Sequence, residues 1–386
     1  MRKPESFLKA HSKHIVLLTI SDLFYEANIH RKAHSLKAAG YQVTIIAAYH
    51  PQLNEKLWDG ITLVRFNLPQ GPTPLRFAVF VFKALWHVLR IKADLFIAYD
   101  YLPLMPLRIK AMLQPCRYLY DSVELLMGLN ALEGKPLRKR FWLWYERVGL
   151  TACQAAFTVC ASDAQSLQKR YPKLNVAGFV RNIPEYIPSH HSNTTFLREK
   201  FAIPKERKIG IYQGMIFKGR GLEELITACR TIDALHLVIV GDGPLLPHLK
   251  ELVKKWDMEH RVTFTGMVPF QALKPYTYSA DVGFTLINGK GLSYYHALPN
   301  KLFEYIQAEI PVIGSNYPEI ARIIEQEKIG ITVNPDDIAQ ITQAVQQLLL
   351  DEHYRFYKAN LKRVKNKYSW QKESKKYLEI VRKVLK

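Results

Sequence analysis

The amino-acid sequence predicts an α/β fold of two parallel-sheet domains that face each other across a cleft. Short apolar runs alternate with longer helical patterns along all 386 residues, which is typical of parallel strands that helices cover on both faces. Turn-forming residues interrupt this pattern over 182–208, and the pattern then restarts. Because a chain of this length suits about two domains, we predict one domain over 1–185 and a second over 205–365.

The predicted strands are the short apolar runs. In the first domain they occupy residues 14–20, 42–48, 61–66, 94–99, 117–120 and 156–160. In the second domain they occupy residues 208–213, 235–240, 261–265, 281–286, 311–313 and 330–333. Ligands of open α/β sheets bind beyond the carboxyl ends of the strands, so we expect functional residues in the loops that follow these runs.

Helical periodicity predicts four helices between the strands. They cover residues 31–39, 222–230, a stretch from about Leu245, and 301–308. Gly40 closes the first of these helices, and Pro299-Asn300 marks the start of the last.

The final stretch, residues 366–386, is predicted to be a strongly amphipathic helix. Ser369 is the expected N-cap. The apolar residues that recur at helical spacing are Tyr377, Ile380, Val381 and Val384. We expect this helix to pack on a domain surface rather than on a membrane.

The charge of the chain favours anionic partners. The sequence holds 54 Lys and Arg against 34 Asp and Glu, a formal net charge of +20, and the basic excess leans towards the N-terminal half. No nucleic-acid-binding motif of the usual kinds occurs, so nucleotide phosphates or a phospholipid surface are the expected partners. Four cysteines without CxxC spacing argue against a disulfide scaffold or a zinc ribbon, and favour reduced thiols in a cytoplasmic protein.

Two segments, residues 75–92 and 135–145, combine basic and aromatic side chains in a way that is typical of helices on anionic lipid. Neither is apolar enough to cross a bilayer, and the N-terminus lacks the apolar stretch of a signal peptide. The alternative is that both segments are packed helices of the first domain. Given the charge excess of the N-terminal half, we predict a cytoplasmic protein that is peripheral at the inner face of the membrane.

The loop over residues 214–221 follows a predicted strand and precedes a predicted helix. Glycines such as Gly214 let the backbone approach an anion closely, and the helix N-terminus adds a positive dipole end. Lys218 and Arg220 add full charges, so the loop suits a diphosphate. The alternative is an ordinary strand–helix turn with solvated cations. The spacing matches neither the dinucleotide-binding fingerprint nor a P-loop.

Two further segments of the second domain are candidates for nucleotide binding. The turn that contains Gly241 and Gly243 follows a strand and can line a nucleotide pocket, although a plain tight turn is the simpler reading. Glu304 lies one turn inside the helix that begins at Pro299-Asn300, where its carboxylate can accept hydrogen bonds from ribose hydroxyls. The backbone N–H groups of that first turn can receive a phosphate. The alternative for Glu304 is a surface residue near the helix dipole.

Polar residues follow three strands of the first domain and are candidates for ligand binding. Arg31 comes after the loop that ends the first strand, Asp100 follows the fourth, and Asp121 follows the fifth. Asp100 is positioned to orient an acceptor hydroxyl. Asp121 is either a group that faces the cleft or a helix N-cap.

Several of these motifs, in this order, resemble glycosyltransferase family 4. They are Tyr212-Gln-Gly-Met215, 220–228, Val240-Gly-Asp-Gly-Pro-Leu-Leu246, Phe264-Thr-Gly-Met-Val268, Pro299-Asn-Lys-Leu-Phe-Glu-Tyr305 and Tyr368-Ser-Trp370. The resemblance covers nearly the whole chain and implies the GT-B fold, which has two Rossmann-like domains and a C-terminal helix that returns to the first. It also implies a retaining transfer from a nucleoside-diphosphate sugar without a metal or other cofactor.

The resemblance implies roles for particular residues. Arg220 matches the basic residue that holds the donor diphosphate, and Lys218 substitutes for the basic residue that the family usually has at the position of Met215. Glu304 matches the second glutamate of the family's E-x7-E motif, which binds the ribose. The first glutamate falls on His296, which either contacts a sugar hydroxyl or phosphate or is only a loop residue. The backbone segment that meets phosphate and sugar matches Leu298, Pro299, Asn300 and Lys301.

Together these observations predict a retaining glycosyltransferase that uses a UDP- or GDP-sugar. The expected acceptor is a glycan or a lipid-linked molecule, as in the synthesis of envelope polysaccharide or lipopolysaccharide. Two alternatives remain open at this point: a sugar-nucleotide epimerase of related fold, and a catalytically degenerate protein that only binds nucleotide or glycan.

Overall fold

The fold contains two separate parallel β-sheets. A computed structural model describes residues 12–24, 26–129, 132–186, 188 and 195–386. The strands of the first sheet are β1 (His14–Asp22), β2 (Gln42–Ala48), β3 (Thr62–Phe66), β4 (Leu95–Tyr99), β5 (Tyr118–Ser122), β6 (Ala155–Thr158) and β7 (Val176–Phe179). Those of the second are β8 (Lys208–Gln213), β9 (Leu235–Val240), β10 (Val262–Gly266), β11 (Val282–Thr285), β12 (Val312–Ser315) and β13 (Gly330–Val333).

Helices join successive strands in both domains. Those of the first half of the chain are α1 (Ala27–Ala38), α2 (Thr73–Arg90), α3 (Leu104–Leu113), α4 (Pro136–Leu150) and α5 (Ala161–Arg170). The next are α6 (Phe196–Phe201), α7 (Leu222–Cys229), α8 (Leu246–Lys255), α9 (Lys274–Tyr278) and α10 (Leu292–Tyr295). The last are α11 (Asn300–Ala308), α12 (Pro318–Glu327), α13 (Ile338–Leu349), α14 (Asp351–Val364) and α15 (Trp370–Leu385).

Both sheets have the doubly wound topology that places ligands at the carboxyl ends of their strands. The strand order is β3-β2-β1-β4-β5-β6-β7 in the first sheet and β10-β9-β8-β11-β12-β13 in the second. All pairings between these strands are parallel. In each sheet the order reverses beside the first strand of the domain, β1 or β8, so the ligand crevice of each domain opens there.

The predicted strands agree closely with the structure. All twelve occur within two residues of their predicted ends. The sequence analysis did not predict β7, which is a strand of only four residues at the edge of the sheet; it contains Gly178, and none of its residues is fully buried.

The helices depart further from the prediction. Helix α1 begins at Ala27, not at Arg31. The segment predicted as a break over 182–208 contains helix α6, although residues 187 and 189–194 lie outside the described part of the chain. Ser369 occupies the N-cap position of α15, but its hydroxyl donates to the carbonyl of Asn366 (2.9 Å) and does not cap the helix.

Helix α15 lies on the first domain. Its apolar face joins that of α1 in one core cluster against the sheet, and Trp370 donates its indole N–H to the Ser35 hydroxyl (2.8 Å). Helices α2 to α5 contribute to the cluster on the opposite face of the same sheet.

The chain passes between the domains twice, and the two passages lie side by side. The amide of Trp370 donates to the carbonyl of Pro184 (2.8 Å), and the amide of Tyr186 donates to the side chain of Gln371 (2.8 Å). The amide of Arg181 donates to the Glu373 carboxylate (3.0 Å). Backbone and side-chain hydrogen bonds therefore join the two passages into one unit.

Candidate active site in the interdomain cleft

The loop over residues 214–221 is held against two neighbouring loops. The amide of Gly214 donates to Val240 and that of Ile216 donates to Asp242, both at 2.9 Å. At its other end the carbonyl of Gly219 accepts from the amides of Asn288 and Gly289, both at 3.2 Å. The loop therefore enters the site with a fixed backbone.

Gly241 and Gly243 make room for that loop. A Cβ atom on Gly241 would lie 1.9 Å from the carbonyl oxygen of Gly214, and one on Gly243 would lie 2.4 Å from that of Ile216. Both residues also have positive φ, 139° and 159°. This contact accounts for both glycines by backbone packing, and their contact with a donor stays a prediction.

Three charged side chains of the second domain lie close together at the mouth of this loop. The ammonium of Lys301 lies 3.5 Å from the ring centre of Tyr212, and the guanidinium of Arg220 lies 5.6 Å from the ring centre of Tyr294. Burial lowers the pKa of Lys301 well below its ordinary value; the positive charge of Arg220 lowers it further and the carboxylate of Glu304 opposes this. The Lys301 ammonium therefore lies within electrostatic reach of both Arg220 and Glu304. Lys218 is exposed and faces solvent beside them.

Glu304 is held by a short chain of hydrogen bonds. Gln213 donates its amide N–H to the Glu304 carboxylate and accepts from the Thr277 hydroxyl (2.8 Å). Burial raises the pKa of Glu304, while the Gln213 hydrogen bond and the charges of Arg31 and Lys301 oppose that rise. The carboxylate is thus fixed in orientation at the cleft.

Arg31 reaches the same place from the first domain. Its guanidinium donates to the Asn182 side chain (2.5 Å). Burial lowers the pKa of Arg31, and the negative charge of Glu304 is the largest effect that opposes it. The two domains therefore bring opposite charges together at the position predicted for the ribose.

The segment predicted to meet phosphate and sugar leads into helix α11. Leu298 and Pro299 are half-buried, and Asn300 is exposed at the first position of the helix. No acidic residue occupies the first turn of this helix, so its N-terminal amides and dipole favour an anion.

His296 contacts the first domain. Its Nδ1 lies 3.1 Å from a carboxylate oxygen of Asp163 in α5, and its carbonyl accepts from the thiol of Cys160 (3.6 Å). No sequence pattern indicates Asp163 as its partner, because the two residues are 133 positions apart and belong to different domains.

Asp100 has an unusual backbone and an altered acidity. Its φ is 70°, in the left-handed region, and its carboxylate accepts from the amide of Tyr101 (2.8 Å). Burial, followed by the charge of Glu124, raises the pKa of Asp100 to about 8. Burial therefore favours the protonated form of this carboxyl group, which can donate a hydrogen bond.

The prediction for Asp121 is wrong. Its side chain neither faces the cleft nor caps a helix, because it forms a fully buried ion pair with Lys32 of α1. The ammonium of Lys32 also lies 5.3 Å from the ring centres of Tyr99 and Phe157, beneath α15. Asp121 therefore stabilises the core of the first domain.

Among the described residues, no group of three or more His, Cys, Asp and Glu side chains is arranged to hold a metal ion. No described helix is long and apolar enough to cross a membrane.

Two Rossmann-like domains, with a cationic loop, a helix N-terminus and a fixed carboxylate between them, form an interdomain cleft of the GT-B type. The family profile "Glycosyl transferases group 1" matches residues 193–370, and "Glycosyl transferase 4-like domain" matches residues 25–176. The chain belongs to the family 4-type glycosyltransferases.

Individual relatives agree with this assignment. The chain is 30% identical over 188 residues to an uncharacterized glycosyltransferase of Methanocaldococcus jannaschii, covering 47% of each chain. It is 30% identical over 162 residues to a GDP-mannose-dependent alpha-(1-6)-phosphatidylinositol monomannoside mannosyltransferase of Mycobacterium tuberculosis, covering 40% of this chain and 41% of that one. The matches thus span less than half the length of these curated relatives.

A solved structure matches over nearly the full length. Anabaena HepE in complex with UDP-glucose superposes with a TM-score of 0.77 at 13% identity, over 96% of this chain and all of that chain. This likeness confirms the predicted fold.

Proposed function

We propose that this protein is a retaining glycosyltransferase that moves a sugar from a UDP- or GDP-sugar to a glycan or lipid-linked acceptor. The observation that carries the proposal is the position of Lys301 beside the cationic loop. Its Nζ lies 3.5 Å from the ring centre of Tyr212, and a Cβ atom on Gly214 would lie 3.6 Å from it, while Gln213 between these two residues holds Glu304. With Arg220, two basic side chains and a carboxylate match the two ends of a nucleoside diphosphate: its phosphates and its ribose. The N-terminus of α11 adds a further group for the phosphates.

The same residues suit the chemistry of the transfer. In a retaining reaction with front-side attack, the leaving diphosphate accepts the proton of the incoming hydroxyl. The protein then mainly stabilises the negative charge that develops on the diphosphate. Arg220 and Lys301, with Lys218 at the rim, supply that stabilisation with no metal in the proposal. On the acceptor side, the protonated carboxyl group of Asp100 orients the incoming hydroxyl.

Thermal unfolding in the presence of sugar nucleotides tests the proposal. We expect one base class among UDP-glucose, GDP-mannose and ADP-glucose to raise the melting temperature. A ligand at 100 times its Kd stabilises by about 2.7 kcal/mol. The variant Glu304→Ala should lose most of this response because it lacks the ribose contact. A wild-type protein that responds to none of the three would contradict the proposed donor site.

We further propose that the acceptor is reached at a membrane surface, and that the protein works in envelope polysaccharide or lipopolysaccharide synthesis. A relative from Mycobacterium tuberculosis acts, by its name, on a phosphatidylinositol mannoside, which is a lipid. The structural argument rests on helices α2 and α4 of the first domain.

Both helices expose a row of large apolar side chains to solvent. On α2 the exposed residues are seven and then four positions apart, and on α4 they are four and then three apart, so each set lies on one helix face. We name this surface the aromatic–basic face; its apolar members are Leu75, Phe82, Trp86, Leu137, Phe141 and Trp144. Phe82 is 70% exposed and Leu137 is 82% exposed, and contact between such large apolar side chains and water is unfavourable.

The helices present these residues in the same direction. Helix α3 lies between α2 and α4 and contacts both, and the opposite faces of all three pack into one core cluster on the sheet. Exposed arginines border the apolar row: Arg76 and Arg90 on α2, and Arg138 and Arg140 on α4. An apolar row beside cations is complementary to a bilayer of anionic lipid.

Vesicle binding tests the aromatic–basic face. We expect the protein to bind vesicles that contain 30% phosphatidylglycerol more tightly than pure phosphatidylcholine vesicles, and to lose affinity as salt is raised. The double variant Phe82→Ser/Trp86→Ser should bind at least about tenfold more weakly, since burying one large apolar side chain contributes about 1.5–3 kcal/mol.

The matched control is Phe356→Ser, which removes an aromatic residue that is 50% exposed on α14 of the second domain. It should bind vesicles like the wild type. Equal binding to both vesicle types, or equal losses in the two variants, would contradict the proposed face.

A further inference from the structure

Residues 160–163 contact two separate elements of the second domain. They are the N-cap residue Cys160 and the first turn of α5. The amide and the hydroxyl of Ser162 both donate to one carboxylate oxygen of Glu319 in α12, at 2.9 and 2.6 Å. The thiol of Cys160 and the carboxylate of Asp163 contact the carbonyl and the imidazole of His296. Both the main chain and the side chain of His296 are thus held from the opposite domain.

The contact between Asp163 and His296 is shielded from water. The side chains are 11% and 13% exposed, and the Nδ1–oxygen distance is 3.1 Å. A carboxylate at Nδ1 accepts the Nδ1–H and thereby fixes the tautomer and the plane of the ring. The other nitrogen, Nε2, is then left to accept a hydrogen bond from a hydroxyl, or to donate one when the ring is protonated.

The charged surroundings of this pair are acidic. Burial raises the pKa of Asp163, the His296 hydrogen bond opposes that rise, and the charge of Glu319 adds to it. Cys160 is the other titratable group at the turn, and Arg322 of α12 is paired with Glu319 (3.1 Å).

In the sequence, His296 lies just before the segment that is expected to bind the donor. It directly follows α10 and lies two residues before Leu298, where the backbone segment expected at phosphate and sugar begins. A side chain in this place can contact the sugar half of a sugar nucleotide, whereas Glu304, one turn inside α11, holds the ribose half.

We propose that Asp163 is a positioning residue that orients His296 towards the donor sugar, so that the sugar is gripped only when the two domains are closed on each other. The proposal rests on the proposed donor site and adds to it a residue of the first domain. Binding of the nucleoside diphosphate does not involve this pair. Domain closure and sugar recognition are therefore linked through a single hydrogen bond.

Comparison of two ligands separates this role from a general structural one. We measure by calorimetry the Kd of a sugar nucleotide and of the matching free nucleoside diphosphate, using UDP-glucose with UDP or GDP-mannose with GDP, whichever base stabilises the wild type. The variant Asp163→Asn should weaken binding of the sugar nucleotide by about tenfold, the size of a lost hydrogen bond to a charged group. Its affinity for the free diphosphate should change less than twofold.

Two further variants show whether a loss of binding arises from the interaction between Asp163 and His296. His296→Gln should give the same selective loss, and the double variant should be no weaker than either single variant, because both remove one interaction. Ser162→Ala is the matched control: it removes the hydroxyl hydrogen bond to Glu319 beside Asp163 and should leave the ratio of the two Kd values unchanged.

The outcomes separate the two proposals. An unchanged ratio in Asp163→Asn, or an equal loss of both ligands, overturns the role of Asp163 while the donor site stands. A wild-type protein that binds neither sugar nucleotide nor free diphosphate overturns the donor site itself, and the role of Asp163 with it.

Discussion

Replacement of Arg220 by alanine is expected to lower kcat by about 10²- to 10³-fold, as the loss of one group that stabilises a developing anion typically does. Arg220 is half-buried in the cleft loop, stacked on Tyr294 and within electrostatic reach of Lys301. Once it is removed, the proposed donor site keeps Lys301 and, at its rim, Lys218 as basic residues. Arg220→Lys keeps the charge without the planar fork and should recover part of the lost rate.

The measurement is the rate of sugar transfer, or of donor hydrolysis, under saturating donor. Arg230→Ala serves as the control, since Arg230 lies at the far end of the same helix, α7, and stacks on Trp256 at 5.5 Å much as Arg220 stacks on Tyr294. Arg230→Ala should retain wild-type kcat. Comparable losses in the two alanine variants would mean that Arg220 acts through the helix and not on the diphosphate.

Replacement of Lys32 by methionine is expected to lower the free energy of unfolding by about 3–5 kcal/mol, because it leaves the Asp121 carboxylate buried without its partner. Both side chains are 1% exposed, so water cannot replace the lost ammonium. The loss should appear as a lower midpoint of guanidinium unfolding, followed by fluorescence.

Two variants test whether the cost arises from the unpaired charge. Lys37→Met changes an exposed lysine of the same helix that pairs with a 91% exposed Asp59, and should alter stability by less than about 0.5 kcal/mol. The double variant Lys32→Met/Asp121→Leu should recover much of the stability, as apolar replacement of a buried ion pair often does. If the double variant is no more stable than Lys32→Met, packing around α1 and not charge is the cause.

Local sequence patterns predicted most of the fold. A buried parallel strand leaves a continuous apolar run, so β2, β8, β9 and β13 were predicted to the residue. Strand β7 was missed because its apolar run is only four residues long and contains Gly178, which is typical of a turn as much as of a strand. The start of α1 was missed because its first turn includes polar residues that the periodic pattern did not count.

The residues of the candidate site likewise divide into those that a local sequence pattern indicates and those that it does not. Arg220 and Glu304 each belong to a short motif beside a strand or helix end, so local patterns indicate them as candidates. The charge interaction between Arg31 and Glu304, and the hydrogen bond between Asp163 and His296, form only when two domains meet, and no local pattern carries that information. Asp121 was misjudged because its partner Lys32, although in the same domain, lies 89 positions away in the chain, so no local pattern links the two residues.

The side-by-side passage of the chain between the domains restricts how the cleft can open. Because Trp370 is hydrogen-bonded to Pro184, the two connections act as one pivot at a single edge of the molecule. When the cleft opens by rotation about this pivot, residues near the pivot move little, and residues at the opposite edge of the cleft move furthest. We therefore expect a ligand to enter and leave the cleft from the side opposite this pivot.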